Sequence, residues 1–251
     1  MGTSTQPEAR FEHELEVFRR EADEAVQHLF AYLTMHAVAG DHKSVRQVFN
    51  SDPLFWMTTL RALQTSVFIV LGRIFSQDSE HNLDALLGIA EQDREIFSRE
   101  SLARRKSEIQ GLDVDKYVSE AYVPTADDFR AFRRQVKEWR RIYEANYRAV
   151  RNQIFAHAEV SKPDDVGTLF AKTNIQELEV LVTDLVGLHS RLQNLLQNGI
   201  APTLVRGNSS VQAIRKMPPA ERRRTLHGRV TTDTERALLA VAESADQRDH
   251  P

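Results

Sequence analysis

The sequence contains no cysteine, which excludes disulfides, thiol catalysis, iron–sulfur clusters and zinc sites that need thiolates. A chain without thiols fits a reducing compartment, and we expect the protein to be cytoplasmic. The longest strongly apolar run, Val67–Leu71, is far shorter than the roughly 20 residues of a membrane helix. The N-terminus has no apolar core of the kind found in secretory signals. We therefore expect no contact with a membrane.

Glycine and proline are both scarce, with 10 and 8 copies among 251 residues. Leucine, alanine, glutamate, arginine and glutamine are abundant, and these residues lose little on entering a helix. The formal net charge of −3 gives no overall field that would hold nucleic acid or an anionic membrane, so any such contact needs a local basic patch. Composition thus predicts a mostly helical, globular protein.

Apolar residues recur at helical spacing in several segments. Glu8–Ala39 is predicted to form one long amphipathic helix, and Leu54–Phe75, apolar on most sides, a central buried one. His81–Gln110 is predicted to contain two shorter helices. Thr125 begins a capping box before a helix whose apolar stripe reaches Ile154, and Ile175–Leu196 forms the last long helix. The fold class is therefore all-α, a bundle of five to six helices with short connections.

Beyond Ile200 the apolar periodicity fades and prolines appear at positions 202, 218 and 219. Only Asp233–Glu243 retains a helical pattern in this part. We therefore divide the chain into a helical domain, residues 8–199, and a basic, partly disordered C-terminal extension, residues 200–251.

Positive charge is concentrated in two places. Phe129–Arg151 carries eight basic against two acidic residues, and the C-terminal extension carries a similar local excess. Clustered guanidiniums suit phosphate, which they bind in a bidentate way, although a solvated helix face would have the same composition. On the first interpretation Arg148, Arg141 and Arg140 contact the backbone of RNA.

The end of the basic helix, Arg151-Asn-Gln-Ile-Phe-Ala-His157, combines two residues suited to chemistry on phosphate. Arginine is always protonated and can stabilise charge that builds on the phosphate. Histidine can move protons at neutral pH, and RNA supplies its own nucleophile, the 2′-hydroxyl. The spacing alone means little, because an Arg six positions before a His occurs about as often as chance allows. On the structural alternative His157 closes the apolar stripe and Arg151 forms a surface ion pair.

The segment from Arg151 to Glu159 resembles the signature of the HEPN superfamily, an Arg followed by a polar residue and then a His. It is most similar to HEPN members of the AbiU type, which are linked to abortive infection. The stretches 60–78 and 97–106 share this likeness, which covers about residues 10–198. The resemblance implies a helical dimer that cleaves RNA without a metal, with Arg151 and His157 catalytic and Asn152 orienting them.

A straight α-helix would not bring this pair together, since six residues leave Arg151 and His157 about 120° apart and roughly 9 Å along the axis. Either the helix ends or kinks before His157, or each residue works with its twin from a second subunit. The resemblance favours the dimer.

The sequence thus leads to the hypothesis of a metal-independent endoribonuclease of a bacterial-type defence or toxin system. Its partners would be RNA, a second copy of the chain and an antitoxin or regulatory protein, with no metal and no other cofactor. A non-catalytic helical module that binds a nucleotide, an RNA or a protein is the alternative, because many HEPN domains bind without cleaving. A third, weaker idea is a scaffold whose charged tail recruits partners.

Overall fold

The computed structural model describes residues 5–156, 171–203 and 209–249, and these contain helices and no strand. The all-α class is confirmed. A 3₁₀ turn (Arg94–Phe97) and a π-helical turn (Arg151–Ala156) join the α-helices. The α-helices are α1 (Gln6–Asp41), α2 (Lys43–Ser51), α3 (Pro53–Phe75), α4 (Leu83–Gln92), α5 (Arg99–Lys106), α6 (Val114–Ser119), α7 (Ala126–Asn146), α8 (Arg148–Val150), α9 (Ile175–Asn198), α10 (Val211–Lys216), α11 (Pro219–Arg222) and α12 (Leu226–Asp249).

Every long helix predicted from periodicity is present, but the described residues hold more helices than the expected five to six. The additional ones are mainly α2, α6 and the three helices after residue 210. Most of them are too short to show apolar recurrence over the 11 to 18 residues that a periodicity argument needs. The short helices are therefore visible only in three dimensions.

Helix α1 is the longest element and organises the core. Thr5 and Glu8 form a capping box at its start, and its apolar stripe from Phe11 to Val38 is buried. The stripe packs against α3 and α9 over much of its length, and against α12. Because these elements meet on a single long helix, one apolar core connects most of the bundle.

Glu8 is an almost fully buried carboxylate in this first turn. Arg104 Nη2 donates to it at 3.0 Å, and Arg105 Nη1 also bonds to it. Arg105 further donates to the carbonyls of Ile96 and Leu196. Burial acts to raise the pKa of Glu8, but the two guanidiniums outweigh it and the pKa lies below its usual value. This cluster ties the start of α1 to α5 and to the end of α9.

Helix α3 is buried over only half of its length, which corrects the prediction that Leu54–Phe75 is buried throughout. Residues 67–75 lie mostly in the core, but Leu54, Phe55 and Met57 are 81%, 62% and 65% exposed. Trp56 stacks on Phe49 of α2 with ring centroids 4.5 Å apart. Among the described helices, α3 alone is long and apolar enough to cross a membrane. Buried core helices can meet the same two criteria.

The C-terminal extension is folded over residues 209–249, contrary to the expectation of a partly disordered tail. Val211 and Ile214 of α10 join the main core, and Leu238 and Ala242 of α12 form a second cluster with residues of α1 and α2. Basic residues of the extension pair within the fold, as when Arg215 contacts Asp41 at 2.7 Å and Glu235 at 3.0 Å. The apolar core of the bundle therefore continues beyond residue 199 and includes residues of α10.

Replacing Glu8 with Gln should destabilise the protein by about 3 kcal/mol, because removing one partner leaves buried charge uncompensated. Equilibrium urea unfolding would measure this loss. Since the pKa of Glu8 is lowered in the folded state, its contribution is full above the unfolded pKa of about 4.3 and is lost as pH falls through the folded value. Glu16→Gln, which breaks a half-exposed pair on the same helix, should cost less than about 1 kcal/mol; equal losses would contradict the assigned role of Glu8.

The packing of α12 can be tested with two neighbouring residues of that helix. Leu238 is 5% exposed and Val241 is 43% exposed, so Leu238→Ala should cost about 2–5 kcal/mol of unfolding free energy, whereas Val241→Ala should cost much less. Chemical denaturation of the two variants gives the comparison. If both are as stable as the parent, α12 does not pack on α1 in solution.

Candidate functional site

The basic helix α7 stops at Tyr147, where the backbone leaves helical geometry with φ −121° and ψ −29°. The side chain of Tyr147 is fully buried. Its hydroxyl oxygen lies 2.8 Å from the carbonyl oxygen of Asn174 and 2.9 Å from the carboxylate of Glu177, and its single proton is shared between these two acceptors. Burial, together with Glu177, raises the pKa of Tyr147, so the hydroxyl stays protonated. This contact with the start of α9 fixes where α7 ends.

After the short helix α8, the chain winds as a π-helical turn from Arg151 to Ala156. Such turns are rare and occur frequently at functional sites. The angle of 120° calculated for a straight α-helix therefore does not apply to this segment. The predicted catalytic His157 lies outside the described residues, so its distance from Arg151 stays a prediction.

The guanidinium of Arg151 lies against the backbone of α3. A Cβ on Gly72 would sit 2.8 Å from Arg151 Nε and 3.3 Å from Cζ, closer than real side chains come. Arg151 Nη1 donates to Asn152 Oδ1 at 2.7 Å, so the structure brings these two predicted site residues together. Arg151 Nε is buried and, within the described residues, has no hydrogen-bond partner. Nη2 makes no hydrogen bond to any described residue.

Arg151 and Asn152 line a small cavity of about 210 Å³ between α3, α7 and α8. This volume is below the roughly 300–1,000 Å³ of sites that enclose a drug-sized ligand, but it can take one phosphate group of a longer chain. The lining residues are Gly72, Phe75, Ser76, Gln77, Asp78, Tyr143, Glu144, Arg148, Arg151 and Asn152. Polar and charged groups dominate this list.

Arg148, the second guanidinium of the cavity, is exposed. The described part of the chain places no carboxylate within ion-pair distance of Arg148 or Arg151, although Asp78 and Glu144 line the same cavity. Two cations without a carboxylate partner suit an anion from outside the chain. Across residues 5–156, 171–203 and 209–249, no cluster of three His, Asp or Glu residues is arranged to hold a metal ion.

The other two predicted RNA-binding residues do not line this cavity. Arg140 is largely buried, pairs with Asp84 at 2.7 Å and donates to the carbonyl of Phe75. It thereby joins α7 to α4 and the end of α3. Arg141 is exposed and pairs weakly with Glu138 at 3.3 Å on its own helix. Of the three arginines, the structure brings only Arg148 to Arg151.

Sequence reasoning did not assign a role to Gly72, Tyr143 or Gln77 and Asp78, all of which line the cavity. Gly72 and the segment after it fall within the stretch 60–78 that carried part of the resemblance. Gly72 is also the one glycine in α3, at a position where most residues would favour the helix more. A glycine that lowers the stability of a helix at this position indicates that another group packs closely against the backbone there.

Gly72→Ala should displace the Arg151 guanidinium while leaving the fold intact, because its Cβ would occupy the space beside Nε. The Arg151 Nε–Hε resonance in ¹H–¹⁵N NMR should shift, and the melting temperature should change little. Gly88→Ala in α4, where the nearest atom is 3.8 Å from the new Cβ, is the matched control. An unmoved Arg151 resonance in Gly72→Ala would show that the close approach does not constrain the guanidinium.

A comparison with protein families places these observations in context. The model of one HEPN family, AbiU2, matches residues 8–214. No curated protein and no solved structure matches the chain significantly. The match includes every residue that lines the cavity and extends beyond residue 199 into α10. It confirms the resemblance noted in the sequence: this chain belongs to the AbiU2 family of HEPN domains.

Proposed function

We propose that this protein is a metal-independent endoribonuclease that acts as a homodimer in the cytoplasm, in a bacterial-type defence or toxin system. The family to which it belongs gives the coarse expectation of an RNase or defence-related role. The finer proposal rests mainly on one observation. Arg151 and Arg148 line a polar cavity of about 210 Å³, and the described residues provide no carboxylate partner for either of them.

The cleavage step needs no group besides the RNA and the side chains of this chain. The 2′-hydroxyl attacks the adjacent phosphorus and gives up its proton to His157. The bond from phosphorus to the 5′-oxygen breaks, and that oxygen takes a proton from the protonated imidazole, which returns His157 to its starting state. The products are a 2′,3′-cyclic phosphate and a 5′-hydroxyl. Arg151 stabilises the charge on the non-bridging oxygens in the transition state.

Asn152 prepares Arg151 for this role. Its side-chain oxygen accepts from Nη1 at 2.7 Å, while Gly72 lets the guanidinium lie flat against α3. A guanidinium held in one orientation loses less entropy when it binds phosphate than a freely rotating one. Because Arg151 lines the cavity, its Nη2 is left to donate to a phosphate there.

RNA reaches the site along the basic end of α7 and α8. Arg148 lies at the cavity and contacts a neighbouring phosphate, and the exposed Arg141 steers the strand one turn or more away. Arg140 makes a smaller contribution because Asp84 already engages it. A second copy of the chain supplies the twin Arg and His, and an antitoxin or regulatory protein controls the dimer.

A binding module without catalysis is the second candidate, since two guanidiniums that have no carboxylate partner among the described residues would hold a nucleotide or RNA phosphate equally well. In that case Arg151 contributes to affinity and there is no cleavage to lose. The scaffold idea has less support, because residues of the tail such as Arg215 and Arg222 already pair with Glu235 inside the fold.

Purified protein incubated with tRNA and single-stranded RNA in EDTA should cut and leave 2′,3′-cyclic phosphate ends. Arg151→Ala should reduce the rate by about 100- to 1,000-fold, as expected for the loss of one transition-state donor. His157→Ala should reduce it at least as much. Mass spectrometry of the products and gel-based rates would provide the measurement.

Arg141→Ala is the matched control, because it removes an exposed arginine of the same helix that lies outside the cavity. It should retain most of the rate and weaken the dependence of binding on salt. Cutting that survives in both Arg151→Ala and His157→Ala would rule out this site. Folded wild-type dimers that bind RNA and cut nothing would favour the binding module.

A further inference from the structure

Tyr143 is a second phenol near the end of α7, and its hydroxyl has no role in the packing of the bundle. Its side chain is only 4% exposed, and its ring stacks on Phe75 with centroids 5.3 Å apart and an interplanar angle of 26°. The hydroxyl makes no hydrogen bond to any described residue, and it is absent from the buried polar atoms that lack partners. Since Tyr143 lines the cavity, its hydroxyl opens into it.

The hydroxyl lies beside the guanidinium of Arg151. The position of a Cβ on Gly72 would be 3.3 Å from Tyr143 Oη and 2.8 Å from Arg151 Nε. The two atoms are therefore no more than about 6 Å apart, and phosphate oxygens accept hydrogen bonds at about 2.9 Å. One phosphate in the cavity can thus reach Tyr143 Oη and the guanidinium of Arg151 together.

Tyr143 is a hydrogen-bond donor in this setting. Burial raises its pKa, and Glu144 adds to the rise, while Arg151 and Arg148 act in the opposite direction without cancelling it. The phenol therefore keeps its proton at neutral pH. The groups around it that could accept, Asp78 and Glu144, line the cavity without bonding to it.

We propose that Tyr143 is a phosphate-binding residue, whose hydroxyl donates to a non-bridging oxygen of the RNA phosphate that Arg151 holds. Arg148, Arg151 and Tyr143 bring donors to this cavity, which the carboxylates of Asp78 and Glu144 also line, and the grouped donors are complementary to an anion. Naming the phosphate as part of RNA rests on the proposed function. The contact itself concerns phosphate and can be tested without cleavage.

The ring and the hydroxyl of Tyr143 can be separated experimentally. Tyr143→Phe keeps the stacking on Phe75 and removes only the hydroxyl. Because the hydroxyl has no partner among the described residues, this variant should melt at the same temperature as the parent. Tyr32→Phe is the matched control, since Tyr32 is a partly buried tyrosine that lines a different pocket.

Binding is measured by fluorescence anisotropy with a short RNA that carries 2′-deoxyribose and cannot be cleaved. Tyr143→Phe should weaken binding by about 10-fold or more, as expected for a hydrogen bond to a charged group, and Tyr32→Phe should leave it unchanged. The dependence of affinity on salt should stay the same in Tyr143→Phe, because no charge is lost. In Arg148→Ala the slope of log affinity against log salt concentration should fall by about 1, because one phosphate contact and its released counterion are lost.

The outcomes separate this proposal from the proposed function. Equal affinity of Tyr143→Phe and wild type, or a large loss of stability in Tyr143→Phe, would overturn the role of Tyr143. Wild type that binds the RNA but cuts no cleavable RNA would overturn the nuclease and leave Tyr143 to be judged by affinity alone. Binding of inorganic phosphate can be followed by NMR. A wild-type protein that binds neither this RNA nor inorganic phosphate would overturn both the nuclease and the role of Tyr143.

Discussion

The position of the site depends on the buried hydroxyl of Tyr147. By bonding to residues 174 and 177 at the start of α9, it anchors the end of α7 to that helix. A fully buried phenol that lost these bonds would cost about 1–3 kcal/mol, so the break in α7 is well determined. The following residues must then wind differently, and the π-helical turn starts at Arg151.

This change of direction has a consequence on the neighbouring helix. Arg151 is turned toward α3, and its guanidinium fits only because Gly72 has no side chain. Asn152 accepts a hydrogen bond from Nη1 and so restricts rotation of the guanidinium. Three local features, a buried phenol, a glycine in a helix and an adjacent amide, therefore orient one cation. None of them is chemically reactive, yet together they decide which atom of Arg151 can meet a ligand.

The sequence was informative where a pattern repeats and uninformative where two distant segments meet. Apolar spacing predicted α1, α7 and α9 well, since each buries one face over many turns. Arg151 and Asn152 were found through the family motif. Gly72 and Tyr143 were not, because their roles arise from the close approach of α3 and α7, which no local pattern encodes. The fold of the C-terminal part was not predicted, because its few apolar residues, such as Leu238, are separated by charged residues. Some of these charges pair with residues elsewhere in the chain, as Arg215 does with Asp41.

The distribution of ion pairs also changes how the basic helix should be understood. Between Phe129 and Arg151, four of the eight basic residues are paired with carboxylates: Arg130 with Asp127, Arg133 with Glu91, Arg140 with Asp84 and Arg141 with Glu138. The local charge excess counted from the sequence therefore overstates the free positive charge. Arg148 and Arg151, which have no such partner among the described residues, lie together at the C-terminal end of this segment and on one cavity. The two cations that the described carboxylates leave unpaired at this end are thus the ones that lie on the cavity, whereas Arg133 and Arg140 join α7 to α4.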